Sequence, residues 1–434
     1  MATPTTTSYL IVGSGVFGTS TAYHLSIAHP GSSITVLDRS STFPCPLGAS
    51  SDYNKIIRAD YGNIFYCELA LKAREAWKIN PLFKPYYHES GLVNVDDTGL
   101  GRRIIANYDK LGVQDHQARI VQPDVMKEEY GGLFRDADWT GAEDVFVNEG
   151  SGWAEATRAL RTVTETAKLN GVQFLQGDVD SLLIDENSCC DGVRMRDGTV
   201  LKADKIILST GAGTASLLAD SAPQTPDIQA ADRITAAAVV VGHIKLNAEQ
   251  YERFKHTPVF IHALSNVLDA DDYTGEVLPP TPDGILKFCV DVSFKNTLKH
   301  DSSRQLISAP PTAPDQAQHV VPASLQGECR RVMKGIYGRE VDDLQFDSFR
   351  ICWDGITPNQ DFIISSHPRC QRLFIATGGS FHGWKFLPII GDYVVKLLDG
   401  TLEEHLVRKW AWDREQHGSA HEKIVPKREL KDLK

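Results

Sequence analysis

Tyr9-Leu10-Ile11-Val12-Gly13-Ser14-Gly15-Val16-Phe17-Gly18 is followed by Thr19-Ser20-Thr21-Ala22-Tyr23-His24-Leu25 and then by Ile34-Thr35-Val36-Leu37-Asp38. The order reads as apolar strand, glycine turn, helix and second apolar strand, a βαβ unit. Glycines at 13, 15 and 18 permit the tight turn and let a pyrophosphate approach the helix N-terminus, where the backbone amides and the helix dipole favour an anion. Asp38, twenty residues past Gly18, stands where an acid accepts hydrogen bonds from an adenosine ribose. The unit predicts dinucleotide binding. It does not separate a nicotinamide from a flavin cofactor.

Two further stretches make that separation. Residues 155–168 read as a helix leading to strand Val172-Gln173-Phe174-Leu175, then to a strand-rich segment with an Asp197-Gly198 turn, and then to Lys205-Ile206-Ile207-Leu208-Ser209-Thr210-Gly211-Ala212-Gly213. A strand ending in Thr-Gly-Ala-Gly is the pattern with which flavin-binding domains return beneath the dinucleotide. Leu373-Phe374-Ile375-Ala376-Thr377-Gly378-Gly379 repeats the theme ahead of a helix over 391–398. The predicted fold is α/β, with an FAD-binding Rossmann-like domain of the glutathione-reductase type assembled from residues 1–88, 151–232 and 346–434. Between these pieces lie residues 89–150 and 233–345, with strand-like runs at 236–241 and 285–290. Loops there are marked by Pro279-Pro280, Pro310-Pro311 and Asp269-Ala270-Asp271-Asp272. They predict an antiparallel-sheet substrate domain covering the flavin ring.

Composition narrows the partners. The 434 residues are 42% hydrophobic and 23% charged, a globular balance. The net charge of -11, with no Lys/Arg run outside the last dozen residues, argues against nucleic acid. Eight cysteines include no CxxC pair, and vicinal Cys189-Cys190 is too close for an unstrained structural disulfide. This predicts a reducing compartment and no metal site. No apolar run approaches the ~20 residues that span a bilayer, no basic leader precedes an apolar core, and Lys431-Asp432-Leu433-Lys434 is not a peroxisomal tripeptide. A cytoplasmic protein without membrane partners is expected.

Cys352-Trp353-Asp354-Gly355-Ile356-Thr357-Pro358-Asn359-Gln360-Asp361-Phe362-Ile363-Ile364, together with Ala376-Thr377-Gly378-Gly379-Ser380-Phe381-His382-Gly383-Trp384-Lys385-Phe386-Leu387-Pro388, resembles the monomeric sarcosine oxidase family. The fungal branch, with fructosyl amino acid oxidases (amadoriases), saccharopine oxidases and pipecolate oxidases, is nearest. Ser51-Asp52-Tyr53-Asn54-Lys55-Ile56-Ile57-Arg58 extends the likeness, and Pro81-Leu82-Phe83-Lys84-Pro85-Tyr86-Tyr87-His88 is similar to amadoriases in particular. The resemblance implies an FAD-dependent amine oxidase, monomeric, that cleaves the C–N bond of an N-substituted amino acid with O2 as acceptor and releases hydrogen peroxide. A biosynthetic flavin oxidoreductase forming an imine on a specialised amine is the alternative.

The resemblance also implies roles. Cys352 matches the cysteine that forms a thioether to the flavin 8α-methyl. Lys287 matches a lysine placed over flavin N5 through water, where a fixed charge stabilises superoxide. Arg58 and Lys385 match the cations that hold the substrate carboxylate. Asp291, four residues after Lys287, either accepts a hydrogen bond from a substrate amine or hydroxyl or is a solvated strand-end carboxylate. Cofactor contacts are expected from Gly13, Gly15, Val16, Phe17, Gly18, Asp38, Arg39, Ser50, Ser51, Lys55, Val179, Gly211, Gly379, Phe381, His382, Gly383 and Lys385. His382 and Trp384 shape the pocket, and His88 and Tyr61 receive no role. The sequence departs from the family in two places. Amadoriases have a small residue where Arg58 stands, and at Asp291 they carry Glu while sarcosine oxidase carries His.

Overall fold

The computed structural model describes residues 7–263, 274–311, 318–415 and 426–433. The acidic loop Asp269–Asp272 lies outside them. The expected βαβ unit is present as strand Ser8–Val12, helix Val16–Ala28 and strand Ser33–Asp38. These two strands pair in parallel inside a six-stranded sheet ordered Ile363–Ser366, Leu373–Thr377, Lys205–Leu208, Ser8–Val12, Ser33–Asp38, Gln173–Gln176. Only the edge strand Ile363–Ser366 runs antiparallel. The sheet's central strands are buried on both faces, as those of parallel sheets are. Helix Val16–Ala28 packs against Ile390–Leu398, where Gly391 lets the backbones meet: an added Cβ would stand 2.1 Å from the Ser20 carbonyl oxygen.

A second, larger sheet supplies the other wall. Among the described residues it has ten strands, and it is mainly antiparallel, with Val259–Ala263 pairing in parallel with Leu92–Asp96. That parallel pair joins strands far apart in the chain, which a search for sequential hairpins does not reveal. Strand Ser348–Ile356 pairs along Thr235–Lys245 in this sheet, and Arg428–Glu429 joins it beside Phe294–Lys295. Residues 346–434 were grouped with the nucleotide unit on sequence. We propose instead that the second unit takes in these two strands.

Alternation along Ile285–Val290 decides which side of this sheet does chemistry. Leu286, Phe288 and Val290 pack into a core with Leu325, Val332 and Ile336 of helix Ala323–Tyr337. Lys287 and Cys289 point to the opposite face, because successive side chains alternate. Asp291 continues their row just past the strand end. The apolar side thus anchors the strand, and a polar side is left facing the nucleotide unit.

Candidate active site

A single cavity of about 1440 Å³ is lined by both sheets. Its wall includes Gly13–Phe17, Asp38 and Arg39 from the βαβ unit, Glu276, Lys287, Asp291 and Cys352 from the polar side of the larger sheet, Arg58 from just past the short strand Asn54–Ile57, and Lys385 from the turn Trp384–Phe386. Gly13 has φ +102, and a Cβ there would stand 2.4 Å from the Ser209 carbonyl oxygen, so only glycine fits. Helix Val16–Ala28 carries no acid in its first turn and no side-chain cap on Gly15. Its N-terminus is open to an anion. The Ser50 hydroxyl accepts from the Val16 amide at 2.8 Å, and Asp38 Oδ2 accepts from the Ser14 amide and hydroxyl at 2.8 Å each. These residues fit an adenine dinucleotide.

On the polar side, one buried acid organises two lysines. The Lys287 ammonium donates to Asp52 Oδ2 at 2.8 Å and to the Asn54 carbonyl at 2.9 Å, and Lys55 donates to the same Asp52 oxygen at 3.2 Å. Burial works against the Asp52 carboxylate, but the charges of Lys287 and Lys55 outweigh it and hold the group well below the usual carboxylate range. Burial likewise works against the Lys55 ammonium, and the Asp52 charge reverses it, raising Lys55 above the usual lysine range. Removing one member of such a buried pair typically costs about 3–5 kcal/mol.

Arg58 and Lys385 are held differently. The Arg58 guanidinium donates to the Asp60 carbonyl and lies over the Tyr61 ring, 5.3 Å from its centroid. The Lys385 ammonium donates to the Tyr61 hydroxyl at 2.9 Å and to the His382 carbonyl at 3.0 Å. Among the described residues neither cation has an ion-pair partner. Burial, and then the nearby Arg58 charge, push the Lys385 ammonium well below the usual lysine range. The site therefore favours an arriving anion.

Tyr61 is the hinge of this arrangement. His382 Nε2 faces the Gln360 carbonyl at 2.8 Å, and its Nδ1 faces the Tyr61 hydroxyl at 3.1 Å. A carbonyl only accepts, so Nε2 carries the proton and Nδ1 accepts from Tyr61. The Tyr61 oxygen is then left to accept from Lys385. Burial, followed by the Lys385 charge, lowers His382 to about 3, which keeps the imidazole neutral and this chain of bonds in one direction.

The turn that carries Lys385 is bolted from outside. The Trp77 indole donates to the Lys385 carbonyl at 2.7 Å and stacks on Trp384 with centroids 5.3 Å apart. Trp384 in turn donates to the Ser50 carbonyl at 3.1 Å. Ser380 and Phe381 take left-handed backbone, φ 48 and 62, at about 1–3 kcal/mol each for residues with a side chain. The Phe381 amide is held there by Asp354 Oδ2 at 2.8 Å. Phe381 and Ala49 flank an apolar patch of Val239, Val241, Cys289 and Cys352. Cys352 is 6% exposed at its centre.

The structure brings the sequence candidates into one cavity, with two exceptions. Gly18 lies beneath the turn, where an added Cβ would stand 1.9 Å from the Gly13 carbonyl oxygen, so its part is helix–strand packing. Ser51 turns its hydroxyl to Thr157 at 3.1 Å instead of into the cavity. His88 stacks on Trp153 with centroids 4.1 Å apart and pairs with Glu155, apart from the cavity wall. Sequence reasoning missed Asp52, Tyr61 and Glu276. It also missed Arg350, whose guanidinium holds the 48–51 loop through the Ser51 carbonyl at 2.6 Å and the Gly48 carbonyl at 3.0 Å. Asp52 left one local sign, Lys55 three residues on, but its closer partner Lys287 comes from far along the chain. Glu276 precedes no periodic run that would single it out.

The molecule has well-characterised kin. L-saccharopine oxidase of Schizosaccharomyces pombe is 27% identical over 432 residues, covering 94% of each chain. Monomeric sarcosine oxidase of a Bacillus species is 22% identical, covering 94% of this chain and 96% of its own. Among solved structures, a modified fructosyl peptide oxidase from Aspergillus nidulans superposes with a TM-score of 0.84 at 28% identity, covering 98% of both chains. The family described as FAD dependent oxidoreductase matches residues 8–397, which span both large sheets, and the chain belongs to it.

Proposed function

We propose that this protein oxidises the C–N bond of an N-substituted α-amino acid, with O2 as acceptor and hydrogen peroxide as product. One observation carries the reading: Arg58 and Lys385, two cations without an ion-pair partner among the described residues, share a cavity with the dinucleotide turn and with Lys287. Saccharopine and sarcosine, named for two relatives, are secondary amines with a carboxylate on the neighbouring carbon, and a fructosyl peptide carries its carboxylate at the C-terminus; those two cations suit such a carboxylate.

FAD, when bound, supplies the hydride acceptor and then the electrons for O2. The protein's own residues do the rest. Arg58 offers two parallel donors and Lys385 a compact charge, so the carboxylate is fixed in position and orientation. Neutral His382 and the Tyr61 hydroxyl keep Lys385 aimed. Lys287, fixed in place by Asp52, sets its positive field where dioxygen is reduced. Cys352 is the thiol that would tether the flavin at its 8α-methyl, in a patch that it shares with Val239, Val241 and Cys289. All eight cysteines are free. That suits a reducing compartment, and we assign the enzyme to the cytoplasm as a monomer. Among the described residues no helix is long and apolar enough to cross a membrane.

Two measurements test the reading. A panel of saccharopine, fructosyl amino acids, sarcosine and pipecolate, each beside its decarboxylated amine, is assayed for peroxide release. At least one amino acid should react and its amine should be a poor substrate; peroxide from none, or equal rates from acid and amine below saturation, overturns the assignment. Separately, acid-precipitated wild-type protein should stay yellow, while Cys352→Ala leaves any flavin in the supernatant. A colourless wild-type precipitate would mean that Cys352 forms no link.

A further inference from the structure

Two carboxyls on the polar sheet face have no counterpart in the carboxylate-binding reading. Glu276 lies directly across from Cys289 in the register of Gly275–Leu278 with Ile285–Val290, and Asp291 follows two residues on. Ligand atoms of Glu276, Cys289 and Asp291 all lie within 4.8 Å of one another. Among the described residues neither carboxyl has a hydrogen-bond or ion-pair partner. Burial, and for Asp291 then its neighbour Glu276, raise both above the usual carboxylate range. Lys287 and Arg58 oppose the rise at both groups, and Lys55 and Lys385 oppose it at Glu276, without pairing with either.

Two further acceptors point the same way. Thr274, whose carbonyl accepts from the Asp291 amide at 3.0 Å, is 3% exposed and its hydroxyl oxygen has no partner. Asn94, in the same cross-strand row as Glu276 through Ile261, is 3% exposed and its Oδ1 is likewise unpartnered. All four side chains line the cavity. In the free site a proton held by this close pair relieves their repulsion but leaves the Thr274 and Asn94 oxygens without a partner. A cation between them removes the repulsion and satisfies the acceptors together.

We propose that Glu276 and Asp291, with Thr274 and Asn94 beside them, form a cation subsite that takes a second, distal ammonium on the substrate. The inference rests on the reading that Arg58 and Lys385 hold the carboxylate, and it narrows the substrate class to amino acids with an additional basic nitrogen.

The test is calorimetric, on the FAD-loaded protein. Straight-chain carboxylates from butanoate to octanoate are compared with their ω-amino counterparts, and alkylamines of the same lengths with the matching alkanols. At one chain length the ω-amino acid should bind about tenfold or more tightly than the plain acid, and the alkylamine should outbind the alkanol. Glu276→Gln and Asp291→Asn should each shrink both preferences, and the double variant should remove them. Plain acids that bind tighter at every length, or a preference that survives the double variant, overturn the subsite. Acids that bind no better than alkanols, with the amine preference intact, would instead count against the Arg58–Lys385 anchor and leave the cation subsite standing.

Discussion

Lys287→Met should slow reaction of the reduced enzyme with O2 by about 100-fold, while anaerobic reduction of the flavin by substrate changes little. The Lys287 charge is not a mobile surface charge. It is 3% exposed and locked to Asp52 at 2.8 Å, so its field acts at one place, in a poorly solvated site, on the negative charge that dioxygen acquires with its first electron. Methionine keeps the length and removes the charge. Asp52 then retains Lys55, at 3.2 Å, as its one ion-pair partner among the described residues, and the variant should unfold at a lower temperature. Stopped-flow measurement of the two half-reactions on folded, flavin-loaded protein decides the matter. Equal slowing of both would mean that Lys287 serves the substrate as well as oxygen.

Lys385→Ala should weaken carboxylate binding by about 2 kcal/mol or more, some 30-fold or greater in Kd, because it removes one of two desolvated cations. Acetate or a thioether acid, which cannot give up a hydride, reports this through the flavin spectrum. The sign of the pH dependence is also fixed. In the free site burial and Arg58 depress the Lys385 ammonium, and a bound carboxylate favours it. The pKa is therefore higher in the complex than in the free enzyme. Binding takes up a proton, is strongest below the free-enzyme value and weakens as pH rises through it. Carboxylate affinity that is flat with pH, or unchanged in Lys385→Ala, would remove Lys385 from the anion site. Arg58→Ala should weaken the same ligands, since Arg58 lines the cavity.

The elements that local pattern governs were legible before any coordinates. The glycine turn, the flanking strands and the Thr210–Gly213 return appear where the spacing put them, because period-two and period-3.6 hydrophobicity and turn glycines are local properties. The alternating run that holds Lys287 was legible for the same reason, and Asp291 was named four residues on with its part left open. Asp52, Tyr61 and Glu276 were not. Each acquires its part only through residues brought from elsewhere in the chain: Lys287 to Asp52, His382 and Lys385 to Tyr61, Cys289 and Asp291 to Glu276. Ser51 misled in the opposite way, since a hydroxyl in a matching motif says nothing of a nearby Thr157.

The two-faced strand Ile285–Val290 has a consequence for how such enzymes diverge. Its helix-packed residues carry the folding energy, whereas Glu276 on the neighbouring strand and Asp291 just past the strand end face the cavity and pair with nothing among the described residues, so mutations at those two positions can drift with little thermodynamic penalty. Lineages built on this scaffold are then free to exchange substrates faster than they can alter their cores. A melting-temperature screen of natural or engineered variants would be blind to that drift, whereas a ligand-affinity screen would see it at once.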